Sequence, residues 1–112
     1  MENGISRKQV ELSNKFKANR TYIYDYTIDM FGYFQAERYL QLIEDALDTL
    51  SDFYMAYPEC RHLATKSRMY RNIILDSHLI IYRITNHRIE VLDIVHSASN
   101  IGKIRSTRSI QI

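Results

Sequence analysis

MYRNIIL (69–75), DS (76–77), HLIIYRIT (78–85), NH (86–87) and RIEVLDIVH (88–96) form one continuous stretch that decides the fold of this chain. It reads as three strands joined by two short turns. Each run holds 7 to 9 residues rich in Ile, Leu, Val and Tyr, side chains that fit a pleated, half-buried surface. Asp76-Ser77 and Asn86-His87 stand where a hairpin takes short polar residues, and Asn tolerates the left-handed conformation that many two-residue hairpin turns use. In the third run Ile89, Val91 and Val95 alternate with Glu90, Leu92, Ile94 and His96. Both faces are thus partly apolar, the mark of a central strand covered on one face and partly covered on the other.

Upstream of residue 68 the apolar period becomes helical. Lys8–Leu12 alternates and reads as a short first strand. Ser13 follows as a helix N-cap, its hydroxyl available to an amide that the first turn leaves without a partner. Phe16, Ile23, Tyr26 or Thr27, and Met30 then recur at helical spacing as far as Phe31, and Gly32 supplies a left-handed C-cap. Ala36, Tyr39, Leu40, Ile43, Ala46, Leu47, Leu50, Phe53 and Tyr54 form the apolar stripe of a second helix. Glu44, Asp45, Asp48 and Asp52 fall on its flank and read as a solvated face. Two helices, about Asn14–Phe31 and Tyr33–Tyr54, with so short a connection must form an antiparallel hairpin. Tyr57-Pro58 ends the second helix, and residues 59–68 connect to the sheet. The order is strand, two helices, three strands. The expected class is α+β, with the helical hairpin packed on an antiparallel sheet. Residues 1–7 show no period and are expected to be loose, residues 8–100 to form a single domain, and residues 101–112 to be a basic C-terminal tail, either mobile or docked.

Composition narrows the class of protein. The 112 residues suffice for one core, and 46% hydrophobic with 25% charged residues is ordinary for a soluble globular domain. No apolar run approaches the roughly 18 residues of a membrane span, and MENGISRKQ does not read as a signal peptide. The single cysteine, Cys60, has no internal partner and fits a reducing, cytoplasmic setting. The net charge of +2 conceals a split. Residues 21–60 carry eight acids against one base, Arg38, whereas residues 61–112 carry nine bases against three acids. A basic half either meets an acidic partner, nucleic acid or peptide, or is neutralised by the acidic half of the same chain.

Several segments in this order resemble the RelE/ParE superfamily of small toxins from bacterial type II toxin–antitoxin modules. They are SNKFKANRTYIYDYTIDMFG, with the family's I-x-x-Y first helix ending in Gly, AERYLQLIEDALDTL, Tyr57-Pro58, Arg71, HLIIYRI and IEVLDIVHSASN. The resemblance runs from about Val10 to Asn100. The ending Val95 to Asn100 is similar to the ParE branch, in which H-x-A-R commonly follows the last strand. Arg20 stands where an aliphatic residue is usual, and Ser99 where that branch commonly has Arg. The resemblance implies a toxin bound in a toxin–antitoxin hetero-oligomer and neutralised by a cognate antitoxin that wraps its groove and sheet. It leaves two mechanisms open: ParE-like members are linked to inhibition of DNA gyrase, and RelE-like members cut mRNA on the ribosome.

A metal-independent ribonuclease needs a base for the 2′-hydroxyl, an acid for the leaving oxygen and cations for the phosphate. Arg71 is the candidate phosphate ligand, and His96 and His62 are the candidate proton carriers. Each also has a plain structural reading: a strand arginine, a strand-end histidine, a loop histidine. Ser97–Asn100 lacks the Lys/Arg/Tyr cluster of RelE-type tails, which favours the ParE side. Arg71, Arg83 and Arg105 are the expected contacts for an acidic antitoxin segment. No cofactor or metal is expected, because no Gly-rich phosphate loop and no Cys/His ligand spacing is present. Nine tyrosines and no tryptophan suggest a contact surface and keep open a third class, a non-toxic interaction module of the same fold, with Tyr22, Tyr24 and Tyr33 expected to be exposed. His78 and His87 flank the turns and are expected to be exposed as well.

Overall fold

The computed structural model describes residues 6–112. The expectation of a loose N-terminus lies, for residues 1–5, outside the described residues; Ser6 and Arg7 are tied to the second helix, through Tyr54 Oη to the Ser6 carbonyl and through an Arg7–Asp52 ion pair of 2.7 Å. The chain runs β1 (Gln9–Leu12), α1 (Asn14–Phe31), α2 (Tyr33–Phe53), β2 (Tyr70–Ile74), β3 (His78–Ile84), β4 (Arg88–His96) and α3 (Ile101–Ser106), followed by a 3-10 turn (Thr107–Ser109). The α+β class, the helical hairpin and the three consecutive antiparallel strands are as the sequence implies.

The sheet order is β1-β4-β3-β2. β1 joins β4 in parallel, Val10 opposite Ile89, so the sheet is mixed rather than wholly antiparallel. The parallel pairing follows from the crossover: β1 and β4 are separated by the whole hairpin and two strands, and no tight turn constrains their direction. β4 is the central strand, buried from Ile89 to Val95. The outer edge of β2 is closed by the connecting loop, where the Asn72 amide donates to the Pro58 carbonyl and the Cys60 amide to the Tyr70 carbonyl.

Ser13 caps α1 as expected, its Oγ accepting from the Phe16 amide at 2.9 Å while donating to the Leu92 carbonyl at 2.5 Å. The cap therefore also pins α1 to the central strand. Gly32 joins the helices alone. Its φ of 92° and ψ of 169° lie outside the left-handed helical well expected for a C-cap, in a region that only glycine visits readily. From there its amide closes α1 on the Ile28 carbonyl and its carbonyl opens α2 on the Ala36 amide. Space around Gly32 is open, so Gly32→Ala isolates backbone strain. We expect thermal melts to show a loss of about 1–3 kcal/mol with an unchanged fold; a neutral substitution would show that the positive φ is not required.

Two apolar clusters sandwich the sheet. The hairpin side joins Phe16, Ile23, Ile43, Leu50 and Tyr54 to Ile73, Ile80, Tyr82, Ile89, Val91 and Ile94. On the other face Cys60, Leu63, Tyr70, Ile81, Leu92, Val95 and Ile104 come together, with Met69, Leu79 and Ile110 alongside. The C-terminal residues are thus docked: Ile104 and Thr107 are buried, and α3 begins on an Asn100 side-chain cap.

Four expectations are corrected. Met30 and Phe53, placed in the helical stripes, are exposed: Met30 sits near the end of α1, and at the end of α2 Leu50 and Tyr54, four residues apart on one face, take the inward positions and leave Phe53 to the side. Neither hairpin turn uses left-handed backbone; among the described residues only Gly32 and Arg68 have positive φ. Thr85 Oγ1 instead organises the second turn, accepting from the His87 and Arg88 amides. Finally, strict alternation in β4 fails. A bulge at Leu92 lets Ile94, not Val95, follow Val91 on the hairpin face.

Candidate functional site

A cleft of 560 Å³ opens between the outer side of α1, the start of α2, the β2–β3 turn and the end of β4. Tyr22, Tyr26 and Phe31 of α1 form its aromatic wall, and Tyr22 and Tyr26 stack with ring centroids 6.4 Å apart. The wall continues around the hairpin tip through exposed Met30, Tyr33 and Phe34. Contiguous exposed aromatic surface of this kind marks a place where another molecule binds. Tyr22 and Tyr33 are exposed as the sequence implies. Tyr24 is instead half-buried and hydrogen-bonded across the hairpin to Glu37, which pushes its phenol up to about 12.

The polar floor of the cleft is a cross-strand pair. His78 opens β3 and His96 closes β4 directly opposite, with ring centroids 5.4 Å apart. Tyr39 of α2 leans over His78, its Oη 2.8 Å from Nδ1, and the Ser77 amide donates to the same Oη at 3.2 Å. Burial, with a smaller contribution from His96, holds His78 below the ordinary imidazole range. His78 is half-buried rather than exposed, because α2 reaches over the turn; His87, at the other turn, is exposed as expected. Asp76 and Lys103 are the charged side chains at the cleft's rim. The sequence offers no signal for Gln35, Asn19 and Lys103 and reads Tyr39 only as a stripe residue and His78 only as a turn flank; their convergence in space marks them. Asn19 is further held by Asp93, at 2.6 Å.

The candidate ribonuclease residues are not gathered in this cleft. Arg71 lies opposite Tyr82, while His96 lies opposite His78, four residues farther along β3, or about 13 Å at the rise of a strand. The Arg71 side chain points away from any open surface: the residue is 8% exposed, and its guanidinium donates to the carbonyls of Met55, Tyr57 and Arg68 at 3.0, 2.9 and 3.1 Å. It ties the end of α2 to the β2 edge. His62 is half-buried in the connecting loop between Cys60 and Leu63 of the second cluster. His96 is exposed, its Nδ1 accepting the Ala98 amide at 3.0 Å.

The arginines expected to meet an acidic segment also separate. Arg83 pairs with Glu90 at 2.7 Å and donates to the Arg108 and Ile110 carbonyls, so it anchors the C-terminal segment. Burial alone would raise the Glu90 carboxyl, but the Arg83 and Arg88 guanidinium groups overcome it and hold it below the usual carboxylate range. The Tyr70 ring lies between Arg83 and Arg108, each 5.8 Å from its centroid. Arg105 is exposed on α3. Cys60 is buried, and burial pushes its thiol up, which leaves it unreactive. Among the described residues, no group of three or more His, Cys, Asp or Glu side chains converges as a metal site would require. Among the described residues, no helix is long and apolar enough to cross a membrane.

Hairpin, mixed sheet and cleft together define a small α+β domain with an open, aromatic-walled groove. Residues 10–101 match the family model described as the ParE toxin of the type II toxin–antitoxin system, parDE. The chain belongs to that family. It is similar in structure to a chain of the chromosomal ParDE TA system from P. aeruginosa, with a TM-score of 0.67 over 80% of this chain and 96% of that one. At 17% identity that likeness speaks for the fold alone. No curated protein matches the sequence.

Proposed function

We propose that this protein is a ParE-like, non-nucleolytic toxin that inhibits DNA gyrase and is neutralised by a cognate antitoxin. One observation carries the first part. Arg71 is committed to three backbone carbonyls and stands at the opposite end of the sheet from His96. Metal-independent phosphodiester cleavage requires cations and an acid–base pair around one phosphate, each contributing on the order of a hundredfold, and these side chains form no such group. Inhibition of a large partner needs a shaped surface instead, and the aromatic hairpin tip supplies one.

The antitoxin reading rests on family membership, the open cleft and the adjoining cations. Exposed Arg105, together with Lys103 at the cleft, offers charge to an acidic segment. Arg83 anchors the C-terminal segment that follows α3, whereas Arg71, toward the other end of the sheet, stands apart from this surface. The toxin–antitoxin hetero-oligomer would then assemble in the cytoplasm, where both candidate targets reside. Association is expected to slow as salt rises, through the on-rate.

The deciding experiment expresses the protein without its antitoxin, maps mRNA 5′ ends and assays gyrase supercoiling. The expected outcome is lost supercoiling with unchanged transcript ends. Ribosome-dependent cuts that vanish in His96→Ala or His62→Ala, with supercoiling intact, would establish the RelE-like alternative. Arg71→Ala is unsuited to this comparison, because its loss damages the fold itself.

A further inference from the structure

The floor of the cleft presents two hydrogen-bond donors without partners. Tyr39 Oη accepts the Ser77 amide and lies 2.8 Å from His78 Nδ1, and donating its own proton to that nitrogen gives the phenol both its roles within the fold. His78 Nδ1 is then an acceptor, and the ring carries its proton on Nε2. His96 is set the same way, since its Nδ1 accepts the Ala98 amide. Among the described residues neither Nε2 has a hydrogen-bond partner. A contact from α2 and one from the segment after β4 thus each engage Nδ1, and both favour a proton on Nε2 in two rings 5.4 Å apart.

We propose that His78 and His96 receive the carboxylate of one Asp or Glu side chain on a partner peptide, whose flanking apolar residues lie along Tyr22, Tyr26 and Phe31. The assignment rests on reading this cleft as the surface that faces the antitoxin. A carboxylate offers two acceptor oxygens to two N–H groups. The charge around the rings suits one negative charge better than two. Lys103 from α3 and Asp76 from the β2–β3 turn offset each other. Tyr39 from α2, Tyr22 and Tyr26 from α1, and Asn19 and Gln35 supply aromatic and amide groups to the lining. A phosphate dianion would find no surplus of cations here. Burial disfavours a charge on His78, and its Nδ1 contact with Tyr39 leaves Nε2 to donate to a ligand. The aromatic wall beside it accounts for the apolar neighbours.

The test titrates the isolated full-length protein with the capped tripeptide Ac-Leu-Glu-Leu-NH2, its Gln analogue, sodium acetate and inorganic phosphate, reading the imidazole nitrogens by NMR. The Glu peptide is expected to shift Nε2 of both histidines together with the Tyr22 and Tyr26 ring signals, binding about tenfold or more tightly than the Gln peptide. His96→Phe is expected to remove that preference, and His96→Gln, which keeps an amide donor, to restore most of it. Equal binding of the Glu and Gln peptides would overturn the proposal. Phosphate moving both rings at lower concentration than acetate would do the same, in favour of a phosphorylated ligand. The measurement does not depend on toxicity. Growth arrest with unmoved histidines leaves the toxin reading and removes this one, and peptide binding without arrest does the reverse.

Discussion

Phe16→Ala is expected to lower the unfolding free energy by about 3–5 kcal/mol, measured by urea denaturation. Phe16 is 0% exposed and sits in the cluster that joins the hairpin to the sheet. Its position is fixed at both ends. Its amide donates to the Ser13 cap, and Arg20, ion-paired to Glu44 of α2, lies 5.4 Å from its ring centroid. The first turn therefore cannot slide to fill the space, and the cavity term adds to the lost transfer energy. Because domains of this kind are stable by only about 5–15 kcal/mol, the variant should melt far below the wild type. A loss under about 1.5 kcal/mol would mean that the hairpin repacks, contrary to the double anchoring of Phe16.

Arg71→Ala is expected to cost about 3 kcal/mol and to do so without reference to any substrate. The side chain bridges the Met55 and Tyr57 carbonyls after α2 and the Arg68 carbonyl before β2. Removing it leaves these acceptors with a void in place of a guanidinium. Arg71→Lys should recover little, since one ammonium cannot span three carbonyls set by a planar fork. His96→Ala, at an exposed strand end, should change stability by less than about 1 kcal/mol. The contrast separates a structural arginine from a catalytic one. If Arg71→Ala folds with wild-type stability yet loses activity, the guanidinium acts on a ligand.

The legible parts of this protein are those in which local chemistry and burial agree. The α2 stripe through Ala36, Ile43 and Leu50 is buried as its spacing implies, and Ser13 caps α1 because a hydroxyl before an apolar helix has few better partners. Met30 and Phe53 mislead because periodicity marks a broad face of a helix but not which of its positions meet the sheet: Leu50 and Tyr54 fill those beside Phe53, and Met30 lies near the end of α1. Arg71 and Arg83 read as surface cations because charge gives no hint of a buried carbonyl cage. The C-terminal segment, lacking a helical stripe, contributes single anchors, Ile104, Thr107 and Ile110, that only a second apolar face of the sheet makes meaningful.

The candidate site shows where sequence stops deciding. Order, hairpin, strand count and the apolar character of β4 follow from residue type and period, which act over a few neighbours. The pairing of His78 with His96 does not. The β3–β4 turn sets a register that would place His78 opposite Val95, and the pairs from Ile84–Ile89 to Tyr82–Val91 keep it. The extra residue at Leu92 shifts every later pair by one, so that His96 comes opposite His78 beneath Tyr39. A bulge depends on what both faces of the strand must bury: Val91 and Ile94 against the hairpin, Leu92 and Val95 against the C-terminal segment. That balance exists only once both layers are in place, and so the cleft floor is a property of the tertiary structure.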